Sequence, residues 1–245
     1  MPALELPENI FSRRRLGRIS SGSRESTVKP LRILIADDHD LMRRGVKTLL
    51  LSHTSWEICG EAKTGREAVA KTEELKPDIL ILDISMPDLN GVEAARRIRK
   101  VSSNTEILIL SMHYSDQLIR EIVDAGVRGY IVKSDSDRDL IIAVENLARH
   151  KPFFTPHATE VILGSFNVGG PIRDVPELVS ERLTSREREI VQLLAEGKSS
   201  KDVASSLGIS VKTAETHRAN VMRKLELHSV SELVRYAVRN QIIEA

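Results

Sequence analysis

Between residues 31 and 150 the chain alternates short apolar runs with longer stretches whose apolar residues recur every three or four positions. The runs are Leu31–Ala36, Glu57–Ala62, Ile79–Asp83, Ile107–Ser111 and Tyr130–Val132. Most lack the polar alternation of a half-exposed strand, so they predict strands buried on both faces. The intervening stretches have helical spacing: Leu41, Val46, Leu49 and Leu50, then Ala68, Val69 and Leu75, then Val92, Ala95 and Ile98. Leu118, Ile119, Ile122 and Val123 continue the pattern, and Leu140, Ile141, Val144 and Leu147 close it. Each such stripe predicts an amphipathic helix packed against the sheet.

Five βα units in succession predict an α/β domain over residues 31–150, with a parallel sheet covered on both faces by right-handed crossovers. The flavodoxin-like order 2-1-3-4-5 suits five strands and sets strands one and three side by side at the switch point, where such sheets bind ligands. Polar residues close the strands there: Asp37-Asp38 after the first, Asp83 on the third, Ser111 on the fourth and Lys133 after the fifth. Three carboxylates in one crevice repel, by about 4 kcal/mol per pair at 4 Å and an effective dielectric of 20. Either a proton or a cation must relieve them. Hard oxygen ligands with open positions suit Mg²⁺, which accepts phosphate oxygens and brings a phosphate donor to Asp83 as nucleophile. Lys133 supplies a point charge for the phosphoryl group and Ser111 a hydroxyl for one of its oxygens. A flavin phosphate does not fit, because Asp37-Asp38-His39-Asp40 would repel it, and there is no G-x-G-x-x-G or Walker loop. Asp40 reads as a helix cap, and His39 and His113 as groups on the surface or just behind the metal ligands rather than as ligands themselves. A phosphatase-like enzyme is the rival reading, but such enzymes need a second acid two residues past the nucleophile, where this chain has Ser85.

From 151 to 182 the pattern lapses at Pro152, Pro156, Gly169-Gly170-Pro171 and Pro176, which predicts a linker with one helical turn over Thr159–Leu163. Residues 183–245 predict a second, all-helical unit. Thr184 and Glu187 form a capping box before Ile190, Val191, Leu193 and Leu194. A short helix over Ser200–Leu207, a Gly208-Ile209-Ser210 turn and a longer helix through Leu225 make a helix-turn-helix pattern. At about 100° per residue, Ala214, Val221 and Leu225 share one side of the longer helix, opposite Lys212, Thr216, Ala219 and Arg223. Lys212, Thr213, Arg218, Arg223 and Lys224 suit phosphates, and Glu215 and Thr216 suit base edges in a major groove. Amphipathicity alone leaves a plain solvated helix open.

Composition adds three limits. The chain has 41% hydrophobic and 29% charged residues with a net charge of +1, so any nucleic-acid surface must be local. Its single cysteine, Cys59, excludes a disulfide framework. No apolar run approaches the roughly 20 residues that span a bilayer, so a cytoplasmic protein without membrane contact is expected. Residues 1–30, with Arg13-Arg14-Arg15 and no sustained period, predict a disordered extension.

Asp37-Asp38, Asp83 with Met86-Pro87 and Gly91, Ser111 and Lys133 resemble the receiver domain of two-component response regulators. The resemblance implies that Asp83 is the phosphoacceptor for a sensor histidine kinase. It makes Asp38 the direct Mg²⁺ ligand, Asp37 a ligand largely through water, and the Ser85 backbone carbonyl part of the metal shell. Ser111 becomes the switch hydroxyl, and Tyr130 the aromatic that turns inward when Ser111 moves. Ser134 follows Lys133 where many receivers have proline. The motifs Leu183-Thr-x-Arg-Glu187, Glu196-Gly197-Lys198-Ser199, Thr213-x-x-x-His217-Arg218 and Met222-Arg223-Lys224-Leu225 resemble the LuxR/NarL-type output domain over 183–245. Ala214 and Glu215 stand where its members commonly have Val and Lys. The resemblance implies a transcription regulator rather than an enzyme. It also implies a homodimer formed on phosphorylation, through Leu233, Val234 and Ala237 of the last helix, which binds a double-stranded operator.

Overall fold

The computed structural model describes residues 29–112, 114–167 and 183–243. The extension expected up to residue 30 therefore lies almost wholly outside the described residues, as do His113 and the Gly169–Pro176 stretch. Strands β1 (Leu31–Ala36), β2 (Trp56–Ala62), β3 (Ile79–Asp83), β4 (Glu106–Ser111) and β5 (Gly129–Val132) alternate with helices. These are α1 (Asp40–Leu50), α2 (Gly65–Leu75), α3 (Gly91–Val101), α4 (Asp116–Asp124) and α5 (Ser136–Ala148). Every residue of β3 and β4 is buried, as continuous apolar runs require when helices cover both faces. Leu34, Leu80, Leu82, Ile107 and Ile109 pack toward one helical layer. Their neighbours Ile33, Ile35, Ile79, Ile81 and Leu108 pack toward the other, following the two-residue period of a strand.

The sheet is parallel throughout, in the order β2-β1-β3-β4-β5-β6. The sixth strand corrects the five-stranded expectation and the start of the linker at 151. Phe153–Phe154 (β6) pairs with Gly129 and Tyr130 of β5, and α6 (Pro156–Asn167) follows in place of a single turn. Phe153 packs into one layer and Phe154 into the other, and Ala158 of α6 is fully buried. Pro152 and Pro156 bracket these elements rather than break them. Pro156 opens α6, where a missing N–H is harmless.

The C-terminal unit contains α7 (Ser185–Ala195), α8 (Ser200–Leu207), α9 (Val211–Lys224) and α10 (Val230–Arg239) around one apolar core. Thr184 with Glu187, and Ser199 with Asp202, form reciprocal capping boxes, and Ser210 and Ser229 cap the last two helices. Gly208 ends α8 at φ +64°, a left-handed turn that glycine adopts without strain. Leu233 and Ala237 belong to this core and are fully buried within the unit, which corrects their assignment to a dimer contact. A helix that follows the helix-turn-helix must first bury its own apolar stripe, and these two residues do so. Val234 is half-buried beside them.

The two units touch at the loop between β3 and α3. Gly91 N donates to Ile84 O at 2.8 Å, tying the loop's ends together. A side chain at Gly91 would overlap the Asp83 carbonyl, and one at Gly65 would overlap that of Leu89. Glycine at both positions lets this loop lie tight against the sheet and α2. Helix α7 of the C-terminal unit packs on its outer side.

Candidate functional site

Strands β1, β3 and β5 end at one edge of the sheet, and the residues that close them meet there. Lys133 Nζ lies 2.9 Å from Asp83 Oδ1 and 2.9 Å from Asp37 Oδ2, joining residues from three strand ends. The Ile84 N–H donates to Asp83 Oδ1 at 2.8 Å, and the His39 N–H to Asp37 Oδ1 at 2.7 Å. Asp37, Asp83, Ser111 and Lys133 are all buried, and Asp38 is partly exposed at the mouth. Asp83 Oδ2 is buried and has no hydrogen-bond partner. Burial pushes the Asp83 carboxyl up to about 6, Asp37 adds to this, and Lys133 opposes it. Burial also works against the Lys133 charge, but pairing with Asp83 and Asp37 outweighs it and holds the ammonium above its ordinary value.

Asp37, Asp38, His39 and Asp83 each offer a ligand atom within 4.8 Å of the others. The three carboxylates, with an unpartnered buried oxygen among them, fit a hard divalent cation that lacks a full protein cage. His39 is 60% exposed and its Nδ1 sits 2.9 Å from Asp38 Oδ1, a place at the surface and beside a carboxylate of the crevice. Asp40 is not a cap. It lies inside the first turn of α1, where it pairs with Arg43 and Lys63.

Tyr130 is fully buried, with its hydroxyl hydrogen-bonded to Ser111. It is thus already turned inward beside the hydroxyl, and not waiting outside for Ser111 to move. Burial raises its phenol, and the bond to Ser111 works the other way.

Arg43 escaped the sequence reading. Its guanidinium is buried, donates to Asp37 O at 2.8 Å and to Glu61 at 3.2 Å, and pairs with Asp40. It therefore props up the backbone from which Asp37 and Asp38 project. An arginine three and seven residues before Val46 and Leu50, on the inward stripe of α1, was the available signal.

On α9, Ala214 and Val221 anchor the helix in the core. Lys212, Thr213, Glu215, Thr216, Ala219 and Arg223 are exposed, and Arg218 is half-exposed. Thr216 Oγ1 donates back to Lys212 O at 2.9 Å, and Thr213 Oγ1 lies 2.8 Å from Ser210 Oγ, so both hydroxyls are engaged locally. Lys224 pairs with Glu187 at 2.8 Å and stays within the unit. Val211, in the first turn of α9, is a 43% exposed apolar group that charge patterning could not flag.

A doubly wound domain with an acidic, lysine-bridged crevice, joined to a helix-turn-helix unit, is the class that this fold and site define. The family described as response regulator receiver domain matches residues 33–145, and that described as bacterial regulatory proteins, luxR family, matches residues 181–237. Response regulator protein VraR of Staphylococcus aureus is 36% identical over 214 residues, covering 87% of this chain and 99% of VraR. Among solved structures, RcsB of Salmonella typhimurium is similar with TM-score 0.51 at 25% identity, over 86% of this chain and 99% of that one. A LuxR-family two-component response regulator from Aurantimonas sp. SI85-9A1 is similar with TM-score 0.53 at 29% identity, over 56% of this chain and 99% of that one. The chain belongs to the response regulators that carry a LuxR-type DNA-binding output domain. Among the described residues no helix is long and apolar enough to cross a membrane.

Proposed function

We propose that this protein is a cytoplasmic, phosphorylation-controlled transcription regulator in which Asp83 accepts a phosphoryl group from a sensor histidine kinase. The observation that carries the reading is the Asp83 carboxylate, buried at a strand end, bridged by Lys133 to Asp37 and holding one unpartnered oxygen. An Asp83 oxygen attacks the phosphorus of the phosphohistidine, the P–N bond breaks, and the imidazole leaves with its electron pair. Lys133 is placed to neutralise phosphoryl charge, and the Ser111 hydroxyl to turn from Tyr130 to a phosphoryl oxygen. Asp37, Asp38, Asp83 and the Ser85 carbonyl would hold Mg²⁺, which when bound offsets the carboxylate charge and supplies Lewis acidity toward the phosphate. With Ser85 in place of a second acid, the receiver assists its own phosphorylation and dephosphorylation and turns over no other substrate.

The output is DNA binding by α9. Its exposed Lys212, Thr213 and Arg223 and half-exposed Arg218 face phosphates, while Glu215, Thr216 and Ala219 line the base edges; Lys224 reaches a phosphate only by leaving Glu187. RcsB, whose structure concerns conformational dynamism for DNA interaction, supports the assignment. Phosphorylation favours a homodimer, which sets two copies of α9 about one helical turn apart on a two-fold operator. With Leu233 and Ala237 inside the core, the contact falls to the outer flank of α10, with Val234 at its edge and the 48%-exposed Val230 at its start.

Mass spectrometry of the wild type and Asp83→Asn, after incubation with acetyl phosphate and Mg²⁺, tests the reading. A single phosphoryl adduct on the wild type and none on the variant is expected. An adduct on both, or on neither, would reject Asp83 as the acceptor.

A further inference from the structure

The mouth of the crevice carries a nitrogen donor that the carboxylates do not account for. His39 stands at the N-cap of α1, yet its side chain makes no capping hydrogen bond. Its backbone already serves the site, with the N–H committed to Asp37 Oδ1 at 2.7 Å. Its ring lies over the same carboxylates, with Nδ1 2.9 Å from Asp38 Oδ1 and 3.5 Å from Asp37 Oδ1. Asp38 Oδ1 is nevertheless buried without a hydrogen-bond partner. Ring and carboxylate therefore meet at contact distance without the alignment that a hydrogen bond requires.

A shared cation explains that separation. Two neighbouring ligands of an octahedral ion, each about 2.1 Å from it, lie about 3.0 Å apart, and two opposite ones about 4.2 Å. The 2.9 Å between His39 Nδ1 and Asp38 Oδ1 fits the first of these. One atom each from Asp37, Asp38, His39 and Asp83 falls within 4.8 Å of the others, close to the limit set by the second. Asp83, 1% exposed, adds a buried oxygen, Oδ2, that has no partner. Charge agrees with distance. Asp37, Asp38 and Asp83 set three negative charges against the single positive charge of Lys133, so a divalent cation brings the crevice to neutrality. A neutral imidazole then adds a ligand without adding repulsion, which a further carboxylate could not do.

We infer that His39 is a metal ligand of this crevice, through Nδ1, and that it tilts the site from Mg²⁺ toward Mn²⁺. The inference rests on the crevice being the cation site proposed above. Oxygen donors alone suit both ions, so an all-oxygen crevice separates them little. Imidazole nitrogen favours first-row transition metals, whereas Mg²⁺ prefers oxygen and keeps its waters. His39 is 60% exposed, so rotation of its side chain can carry the ring toward the carboxylates or out to solvent. Mg²⁺ binding therefore does not depend on the ring, and Mn²⁺ binding does.

The test uses the full-length protein without a histidine tag, as wild type, His39→Ala and Asp38→Asn. Mn²⁺ and Mg²⁺ are each titrated by calorimetry, and the Mn²⁺-loaded samples are examined by pulsed EPR for coupling to a directly bound nitrogen. Wild type should show that coupling and His39→Ala should lack it. The alanine variant should bind Mn²⁺ about tenfold more weakly, the low end of what losing a supporting group costs a metal site, with its Mg²⁺ affinity unchanged. General damage to the crevice would weaken both ions together and would not produce that split. A wild type without nitrogen coupling, or a coupling that persists in His39→Ala, overturns the ligand role while the crevice stands. If Asp38→Asn leaves Mn²⁺ binding untouched, the crevice is not the cation site, and the reading beneath the inference has failed.

Discussion

Replacing Asp83 with asparagine should stabilise the metal-free receiver at neutral pH. The Asp83 carboxyl is 1% exposed, and burial pushes it up from 3.8 to about 6, with Asp37 adding to the rise and Lys133 opposing it. At 1.36 kcal/mol per pH unit, this rise corresponds to about 3 kcal/mol. The sign follows from linkage. A carboxyl whose folded value is raised binds its proton more tightly folded than unfolded. Its favourable contribution is complete below pH 3.8 and is lost as pH rises through about 6. Above that the wild type carries the whole penalty of a buried charge, whereas an asparagine in its place never ionises. The variant should therefore exceed wild type by up to about 3 kcal/mol at pH 7.5, and the gap should close toward pH 4. Urea unfolding can be followed through Trp56, the only tryptophan, which lies in β2 and stacks on His53 with ring centroids 4.1 Å apart. That probe reports the receiver alone. Added Mg²⁺ should restore wild type relative to the variant, because a ligand that binds only the folded state stabilises it by mass action. An equal gap at pH 4 and pH 7.5, or a less stable variant at both, would refute the buried-charge argument.

Three further outcomes follow from the geometry. Arg43→Gln removes the prop beneath Asp37 and should weaken Mg²⁺ binding by about tenfold while leaving phosphorylation intact at saturating metal, the signature of an outer-sphere support; a Mg²⁺ titration of the phosphorylation rate checks it. Glu215→Lys puts a cation on the exposed face of α9 and should steepen the salt dependence of duplex binding by about one unit of log–log slope. An unchanged slope by fluorescence anisotropy would place residue 215 away from the duplex and overturn its base-edge assignment. Leu233→Ala should lower the stability of the output domain by about 2–5 kcal/mol. A normal unfolding transition with a weakened dimer would instead return Leu233 to an intersubunit role.

The receiver was legible because most of its strands are closed apolar runs and each helix of its five βα units carries an apolar stripe. Strand order then follows from chain connectivity and handedness, and the strand-end residues converge from that order alone. Phe153 and Phe154 were hidden by the prolines beside them, since a two-residue edge strand has no period to detect. Leu233 and Ala237 showed their stripe in the sequence, but a stripe records burial and not the surface that covers it. Here the covering surface is the output domain's own core. Arg43 and Gln192 mark the deeper limit. Gln192 lies among the apolar residues Val191, Leu193 and Leu194 of α7, and a polar residue on a helix reads as solvated unless its partner is known. Besides Glu196 of the same unit, its partners are backbone groups 102 and 106 positions away, Asn90 N and Met86 O. Backbone groups have no side-chain signature, so no hydropathy pattern can announce them. The chemistry at a strand end was therefore readable one residue at a time, whereas the contact between α7 and the loop after Asp83 became visible only when the two domains were placed together.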